Sequence, residues 1–402
     1  MNKDVHIVIV GAGVTGLTLA ALLAQGENAE SLRISIVDAV KRPAWDANDD
    51  VALRVSAISC GSAELLDDIG AWPGIETSRL CPYDHMRVWD EADEPTGTTG
   101  LSFDADEFAV RHLGYIVENV LVQHALLSLL DDSQVDVLFD APIECVDLDE
   151  NRRRVALHSG RTLDADLIVG ADGAQSVVRE SAGIAVRRWP YAQKAFVAHL
   201  LPERDHEQTA WQRFLRDGPL GMLPLADGRI SVVWSTTPDT AENALRCSDK
   251  ELGAMLTEAS DCVLGRLEVS GPCGAFPLGA QHAEEYVRRG IALIGDAAHT
   301  VHPLAGQGAN LGLQDARALA EVIDAALGAG EHPADRPVLR RYERARKGAN
   351  ATMMHFMTGL NRLFASDSSL LGELRRAGMQ LFNRSGPVRK RVVGVALGAN
   401  RR

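Results

Sequence analysis

Three glycine-bearing runs hold most of the residues whose types and spacing could do chemistry: GAGVTG at 11–16, VGADG at 169–173 and GDAAHTVHPLAGQGANLG at 295–312. Glycine lets backbone N–H groups come close to a phosphate or a flat ring, and an aspartate at a strand end can accept a hydrogen bond from a sugar hydroxyl. In the first run Gly11 permits a tight turn, Gly13 lets the backbone approach a pyrophosphate, and Gly16 allows close packing of helix on strand. Ala12 and Thr15 complete that loop, and Asp38 follows Gly16 by 22 residues, the distance of a ribose-binding acid. The third run adds His299 and His302, either of which could move a proton. The glycine and alanine around them favour a packing role for His299 and leave both readings open for His302.

The elements that must position these residues are legible nearby. Val5–Val10 is a β-branched run bounded by glycine and reads as a buried strand. An alanine- and leucine-rich helix runs to about Gln25, and Arg33–Asp38 reads as a second strand. A glycine fingerprint between two strands, with the acid at this distance, indicates a β-α-β dinucleotide unit. NAD and FAD share it. Two more buried strands end at 166–173 and 290–296, so all three runs fall at the carboxyl edge of one parallel sheet, where nucleotides bind. Residues 56–70 and 115–130 have a helical period, 135–169 read as a β-meander, and 311–328 and 337–365 read as long helices. Between 186 and 275, β-branched and aromatic runs broken by Pro, Gly and Asp predict a sheet-rich second domain.

Composition narrows the function class. A chain of 402 residues with 46% hydrophobic and 24% charged residues is expected to form more than one domain with a large core. The net charge of −14 argues against general nucleic-acid binding. Residues 371–402 carry +7, which leaves −21 for the rest, so this tail suits an anionic membrane surface or an acidic partner, or else is a solvated helix end. Cys60, Cys81, Cys145, Cys247, Cys262 and Cys273 are scattered, so reduced thiols and no metal site are expected. The N-terminus has no signal-peptide core and no run of about 18 apolar residues occurs, predicting a cytoplasmic protein, with peripheral membrane contact left open.

At these motifs the sequence resembles the class A flavin-dependent aromatic monooxygenases and, within them, the ubiquinone-biosynthesis hydroxylases. The run HPLAGQGANLG at 302–312 is the most specific; RVSAIS at 54–59, LGYIVEN at 113–119 and YERARKGANATMMHFMTGLNRLF at 342–364 also fit. The resemblance implies an α/β protein with a Rossmann-like FAD-binding domain of the p-hydroxybenzoate-hydroxylase type, an inserted β-rich substrate domain and a C-terminal helical segment. The expected bounds are 1–80, 111–185 and 276–335 for the FAD domain, 81–110 and 186–275 for the substrate domain, and 336–402 for the helical region with its basic tail. It assigns Gly11, Ala12, Gly13, Thr15, Gly16 and Asp38 to the ADP half of FAD and Arg54 to the diphosphate. Asp172 and Gly173 would serve FAD and the nicotinamide cofactor, and Asp296 the ribityl or diphosphate portion. Pro303, Gly306, Gly308, Ala309 and Asn310 would approach the isoalloxazine ring. Asn119 would touch the flavin or adenosine, or else pack in the core.

The chemistry so implied is the cofactor's. NAD(P)H reduces FAD, O2 adds to give a C4a-hydroperoxyflavin, and one oxygen passes to the ring of a polyprenylated phenol or benzoquinol. No protein group is fixed as acid or base; His302 and Gln307 are the weak candidates, and relatives often carry asparagine at the position of His302. Asp315 reads as a cap or ion-pair partner. Met353, Met354 and Met357, at helical spacing, read as core or as the entrance for a prenyl tail. Two rivals stand: another flavoprotein of this fold, such as a hydroxylase of a different aromatic or a prenyl or quinone reductase, and a non-catalytic flavin-binding scaffold of a biosynthetic complex.

Overall fold

The computed structural model describes residues 5–301 apart from 96, 98–99 and 150–151, then 307–364, 378, 381–383 and 385–398. Its nucleotide-side sheet runs in the order Val287–Arg288, Ile291–Leu293, Leu167–Gly170, Val5–Val10, Leu32–Val37, Asp136–Leu138. All neighbours are parallel except the short hairpin at Val287–Leu293. Ile7, Val8, Ile9, Ile36, Leu167 and Val169 are fully buried, as strands covered on both faces must be. Helix Val14–Ala24 is apolar nearly all round because it packs against helices Asn119–Asp131 and Gln307–Gly328 as well as the sheet. A three-stranded antiparallel sheet, Ile143–Asp149, Arg152–Leu157 and Thr162–Ala165, sends Val146, Val155 and Leu163 into the same core.

The second sheet has eight strands, from His299–Thr300 through Leu267–Ala283, Val186–Pro202, Ile230–Thr236, Gly218–Pro224, Thr209–Leu215 and His85–Asp90 to Leu101–Asp104. One face buries Phe196, Leu220, Met222 and Trp234 against helices Pro238–Arg246 and Asp249–Ala259. The two 17-residue strands Val186–Pro202 and Leu267–Ala283 form a long antiparallel ribbon. Its pairing slips between Pro190 and Lys194, where Ala192 takes a φ of 51°. The ribbon crosses position 276, the expected boundary between the two domains, and joins both sides of it in one ladder.

Two expected helices start later than the period suggested. Val55–Ser59 is a strand, paired with Gly114–Glu118, which pairs in turn with Leu80–Tyr83. Helix Cys60–Asp68 begins only where the Ser59 side chain accepts from Ser62 N, and Asn119 begins the next helix after Glu118. A short apolar run has the same look in a strand entering a helix as in the helix itself, so local period cannot separate them. Within 186–275, where the sequence predicts mainly sheet, Pro238–Arg246 and Asp249–Ala259 are helices. Their signals are nonetheless local: Thr237 before Pro238, and the Ser248–Glu251 capping box.

Candidate flavin and substrate site

The carboxyl ends of Val5–Val10, Leu167–Gly170 and Ile291–Leu293 open into one cavity of about 570 Å³. Gly13, Thr15, Arg54, Asn119, Gly173, Asp296, Gly308 and Ala309 line its nucleotide side; Val14 and Ala171, not singled out in the sequence, line it too.

The first loop shows three glycines under three different constraints. Gly11 has a φ of 108°, and a Cβ there would lie 2.3 Å from Ala171 O. A Cβ on Gly16 would lie 2.0 Å from Gly11 O, so helix and loop touch through bare backbone. A Cβ on Gly13 would meet nothing within 4 Å, and Gly13 caps helix Val14–Ala24 without a side-chain hydrogen bond. The free N–H groups of that helix start therefore face open cavity, the arrangement an anionic pyrophosphate requires. Asp38 lies directly behind the loop. Its carboxylate accepts from Ala12 N at 2.6 Å and Val40 N at 3.0 Å, so it braces the turn. Gln123 Nε2 donates to Ala12 O from the other side.

The second and third runs carry acids whose charge is poorly solvated. Burial pushes Asp172 above the ordinary carboxylate range, although Ser176 and backbone N–H groups pull it back. Asp296 faces the open cavity yet lies deep among protein atoms, and burial raises its pKa against the opposing charges of His299 and Arg54. Such a carboxylate gains from any hydroxyl donor a ligand brings. Gly173 (φ 80°) and Gly308 leave the space beside them open. The residues present thus fit an extended dinucleotide: helix-end donors at one end, a hydroxyl-seeking acid with Arg54 near it, and uncluttered backbone beside Gly173 and Gly308.

Other expected residues have structural employment. Asn119 Oδ1 accepts from Ser56 Oγ at 2.7 Å while the residue lines the cavity. Asn310 is 2% exposed; its amide donates to Ala57 O at 2.8 Å and accepts from Ser59 N at 2.9 Å, clamping strand Val55–Ser59 to helix Gln307–Gly328. Thr15 packs against Gly295 and Gly312, where an added Cβ would lie 3.1 Å and 2.3 Å from its Oγ1. His302, Pro303 and Gly306 lie outside the described residues, and Gln307 is described only as the first residue of its helix. Met354 packs with Ala280, Val301 and Leu311, Met357 packs with Val88 and Phe214, and Met353 touches both groups.

A buried network that spacing could not reveal supports the third run. Asp315, fully buried, accepts from His299 Nε2 at 2.5 Å and Gly295 N at 3.1 Å through one oxygen. The other oxygen accepts from Arg346 Nε at 2.7 Å and Asn350 Nδ2 at 3.0 Å. Burial opposes the charge, but His299 and Arg346 outweigh it and hold the carboxyl below its ordinary value. Tyr286 stacks on His299 at 5.8 Å and bonds to His282, whose pKa burial lowers to about 4. His299 therefore sits in a hydrogen-bonded network around the Asp315–Arg346 ion pair, and Asp315 is the ion-pair partner its sequence position suggests.

Across the cavity from the nucleotide side, the eight-stranded sheet presents small and apolar residues: Ala195, Val197, Ala210, Pro219, Gly221 and Val233. A largely apolar wall of this kind suits an aromatic ring.

The family model described as "FAD binding domain" matches residues 4–357. The 3-demethoxyubiquinol 3-hydroxylase of Escherichia coli K12 is 34% identical over 99% of both chains. The human ubiquinone biosynthesis monooxygenase COQ6 is 34% identical, covering 97% of this chain and 92% of its own. The ubiquinone hydroxylase UbiL of Rhodospirillum rubrum is 34% identical over 99% of this chain and 90% of its own. Among solved structures, Klebsiella pneumoniae HpxO complexed with FAD and uric acid superposes with a TM-score of 0.73 at 17% identity, covering 98% and 97% of the two chains. PqsL of Pseudomonas aeruginosa gives 0.74 at 23% identity, covering 93% and 99%.

Proposed function

The chain belongs to the FAD-binding domain family of flavin-dependent monooxygenases, and on that premise we propose that it hydroxylates the aromatic ring of a polyprenyl phenol or benzoquinol during ubiquinone biosynthesis. The observation that carries this reading is the single cavity that joins three nucleotide-type strand ends to a wall rich in small and apolar residues. FAD, when bound, supplies the redox chemistry, taking electrons from NAD(P)H and delivering one oxygen atom of O2 to the ring. The protein's part is to bind, orient and exclude water. The start of helix Val14–Ala24 and Gly13 would take the pyrophosphate, with Arg54 beside them. Asp296 would accept hydroxyls of the ribityl chain, and Gly308 with Ala309 would let the isoalloxazine ring lie against backbone. Asp38 would act through Ala12, by holding the turn in its binding shape. The sheet wall would hold the substrate ring and keep solvent from the site of oxygen transfer.

The test is to purify the protein and measure bound FAD, substrate-stimulated NADPH oxidation and product mass. Complementation of bacterial strains each lacking one ring hydroxylase identifies the ring carbon. A protein that holds no flavin, or oxidises NADPH identically with and without substrate, overturns the reading.

No helix among the described residues is long and apolar enough to cross a membrane. Contact with a bilayer surface or with other biosynthetic proteins would fall to the basic C-terminal segment, where Lys390 and Arg391 are exposed. Arg389 is spent internally, paired with Glu107 at 2.8 Å and stacked over Phe103 at 5.2 Å. Deleting residues 371–402 should abolish co-sedimentation with anionic vesicles; unchanged binding refutes the assignment.

A further inference from the structure

The wall opposite the nucleotide side has a polar corner that the assignments above leave unused. The sheet alternates in two rows. Phe196, Ala198, Val232 and Trp234 point into the second core, while Val197 and Val233 face the cavity. Ser231 lies on the cavity row, is fully buried, and its hydroxyl has no hydrogen-bond partner. Its cross-strand partner is His199, also fully buried, with neither ring nitrogen bonded. Directly opposed residues of an antiparallel pair project to the same face with Cβ atoms about 4.5–5.5 Å apart. His199 therefore lies on the same face as Ala195 and Val197, directly across from Ser231, which is the one of the pair that lines the cavity.

The chemistry of the corner is defined by its neighbours. Burial first, and then the positive charge of Arg229, lower the pKa of His199, so its ring is neutral near pH 7 and offers one donor and one acceptor. Arg229 is occupied by Asp227, Asp50 and Ser270 O and does not neutralise the corner. Buried polar atoms in native proteins nearly always have a partner, and neither of these groups finds one in the protein. A ligand with one oxygen that both accepts and donates would satisfy the pair.

We propose that His199 and Ser231 form the hydrogen-bonding corner that receives an oxygen substituent of the aromatic substrate, a phenolic hydroxyl or its carbonyl equivalent, and so fix which ring edge faces the flavin. This rests on the hydroxylase reading above. It makes the pair specificity-determining residues, with no part in the redox steps.

The test uses the FAD-loaded protein and two probes of similar shape, 2-hexylphenol and hexylbenzene, titrated while the absorbance of the bound flavin is followed. The wild-type protein should bind the phenol about 10-fold more tightly, the worth of one or two neutral hydrogen bonds. Ser231→Ala and His199→Phe should each bring that ratio below about 3-fold, leaving FAD content and hexylbenzene binding unchanged. His199→Gln, which keeps a donor and an acceptor, should restore much of it. Ser231→Ala should also leave the ligand-free protein at least as stable in urea, because it deletes a hydroxyl with no protein partner. A phenol preference that survives in both Ser231→Ala and His199→Phe, or one missing from the wild type, overturns the proposal. A wild-type protein without flavin defeats the hydroxylase reading instead, and the same titration read by fluorescence of the cavity-lining Trp211 still tests the corner.

Discussion

Gly13 and Gly16 stand three residues apart in the same loop, and the structure predicts opposite consequences for adding one methyl group to each. At Gly13 the backbone is ordinary (φ −72°, ψ 173°) and a Cβ would meet nothing within 4 Å. Gly13→Ala should therefore leave apoprotein stability within about 0.5 kcal/mol, or raise it slightly by stiffening the unfolded chain. The new methyl group would stand where a phosphate oxygen must come within about 2.9 Å of backbone N–H groups. Losing one charge-assisted hydrogen bond there costs about 1.5–3 kcal/mol, or roughly 10- to 150-fold in FAD affinity. At Gly16 the Cβ would lie 2.0 Å from Gly11 O, and backbone must shift by an ångström or more. Overpacking against backbone at this distance falls at the upper end of the usual range, about 3 kcal/mol, against about 1 kcal/mol gained in helix propensity, so Gly16→Ala should destabilise the apoprotein by roughly 2 kcal/mol. Urea unfolding of the flavin-free proteins gives the first quantity; titration of FAD against its own fluorescence gives the second. The reasoning fails if Gly13→Ala binds FAD as the wild type does, or if both variants lose stability alike.

Three further outcomes follow from the buried groups. Asp315→Asn should destabilise the protein by about 3–5 kcal/mol, because Arg346 keeps its charge without its partner. Since the Asp315 carboxyl is held below its ordinary value, its contribution is complete above about pH 4 and is lost as pH falls further, so the variant's urea midpoint should flatten against pH in that acid range. Asp296, with its pKa raised, should give FAD an affinity that climbs as pH rises through that pKa, because ligand hydroxyls bond to the charged form; Asp296→Asn should bind FAD with no such slope. Asn310→Ala removes the clamp on Ala57 and Ser59 and should cost about 2–4 kcal/mol in the flavin-free protein. A variant of normal stability that loses only flavin would return Asn310 to the ring site.

Much of this site was written locally. A glycine fingerprint between strands is a short-range signal, and GAGVTG, VGADG and IGDAA do end three strands of one sheet that open into one cavity. What stayed hidden depends on contacts between distant parts of the chain. Asp315 meets Arg346 across two helices, and no periodicity records which of many arginines will face a given acid. The employment of Asp38 and Asn310 is likewise settled by neighbours: the acid braces the loop that carries Ala12, and the amide ties down a strand that the sequence period had taken for helix. His199 and Ser231 stood in a stretch with no readable code because their pairing is set by strand register.

The long ribbon of Val186–Pro202 and Leu267–Ala283 also has a mechanical meaning. A two-stranded ladder resists bending where its hydrogen bonds are continuous and yields first where they stop. Here they stop at 191–193, opposite Leu278, and slip again between Ala198 and Leu200; the Tyr191 hydroxyl ties the first spot to Thr358 on the long helix Arg336–Phe364 at 2.8 Å. Pro277, Leu278 and Gly279, on the facing strand, line the cavity. Rocking of the substrate-side sheet against the nucleotide-side sheet should fold the ribbon at this crease, and faster amide hydrogen exchange at 191–193 than along the flanking ladder would register it. The crease lies in the roof of the cavity, so a load applied to the helix should be felt as a change in headroom beneath it.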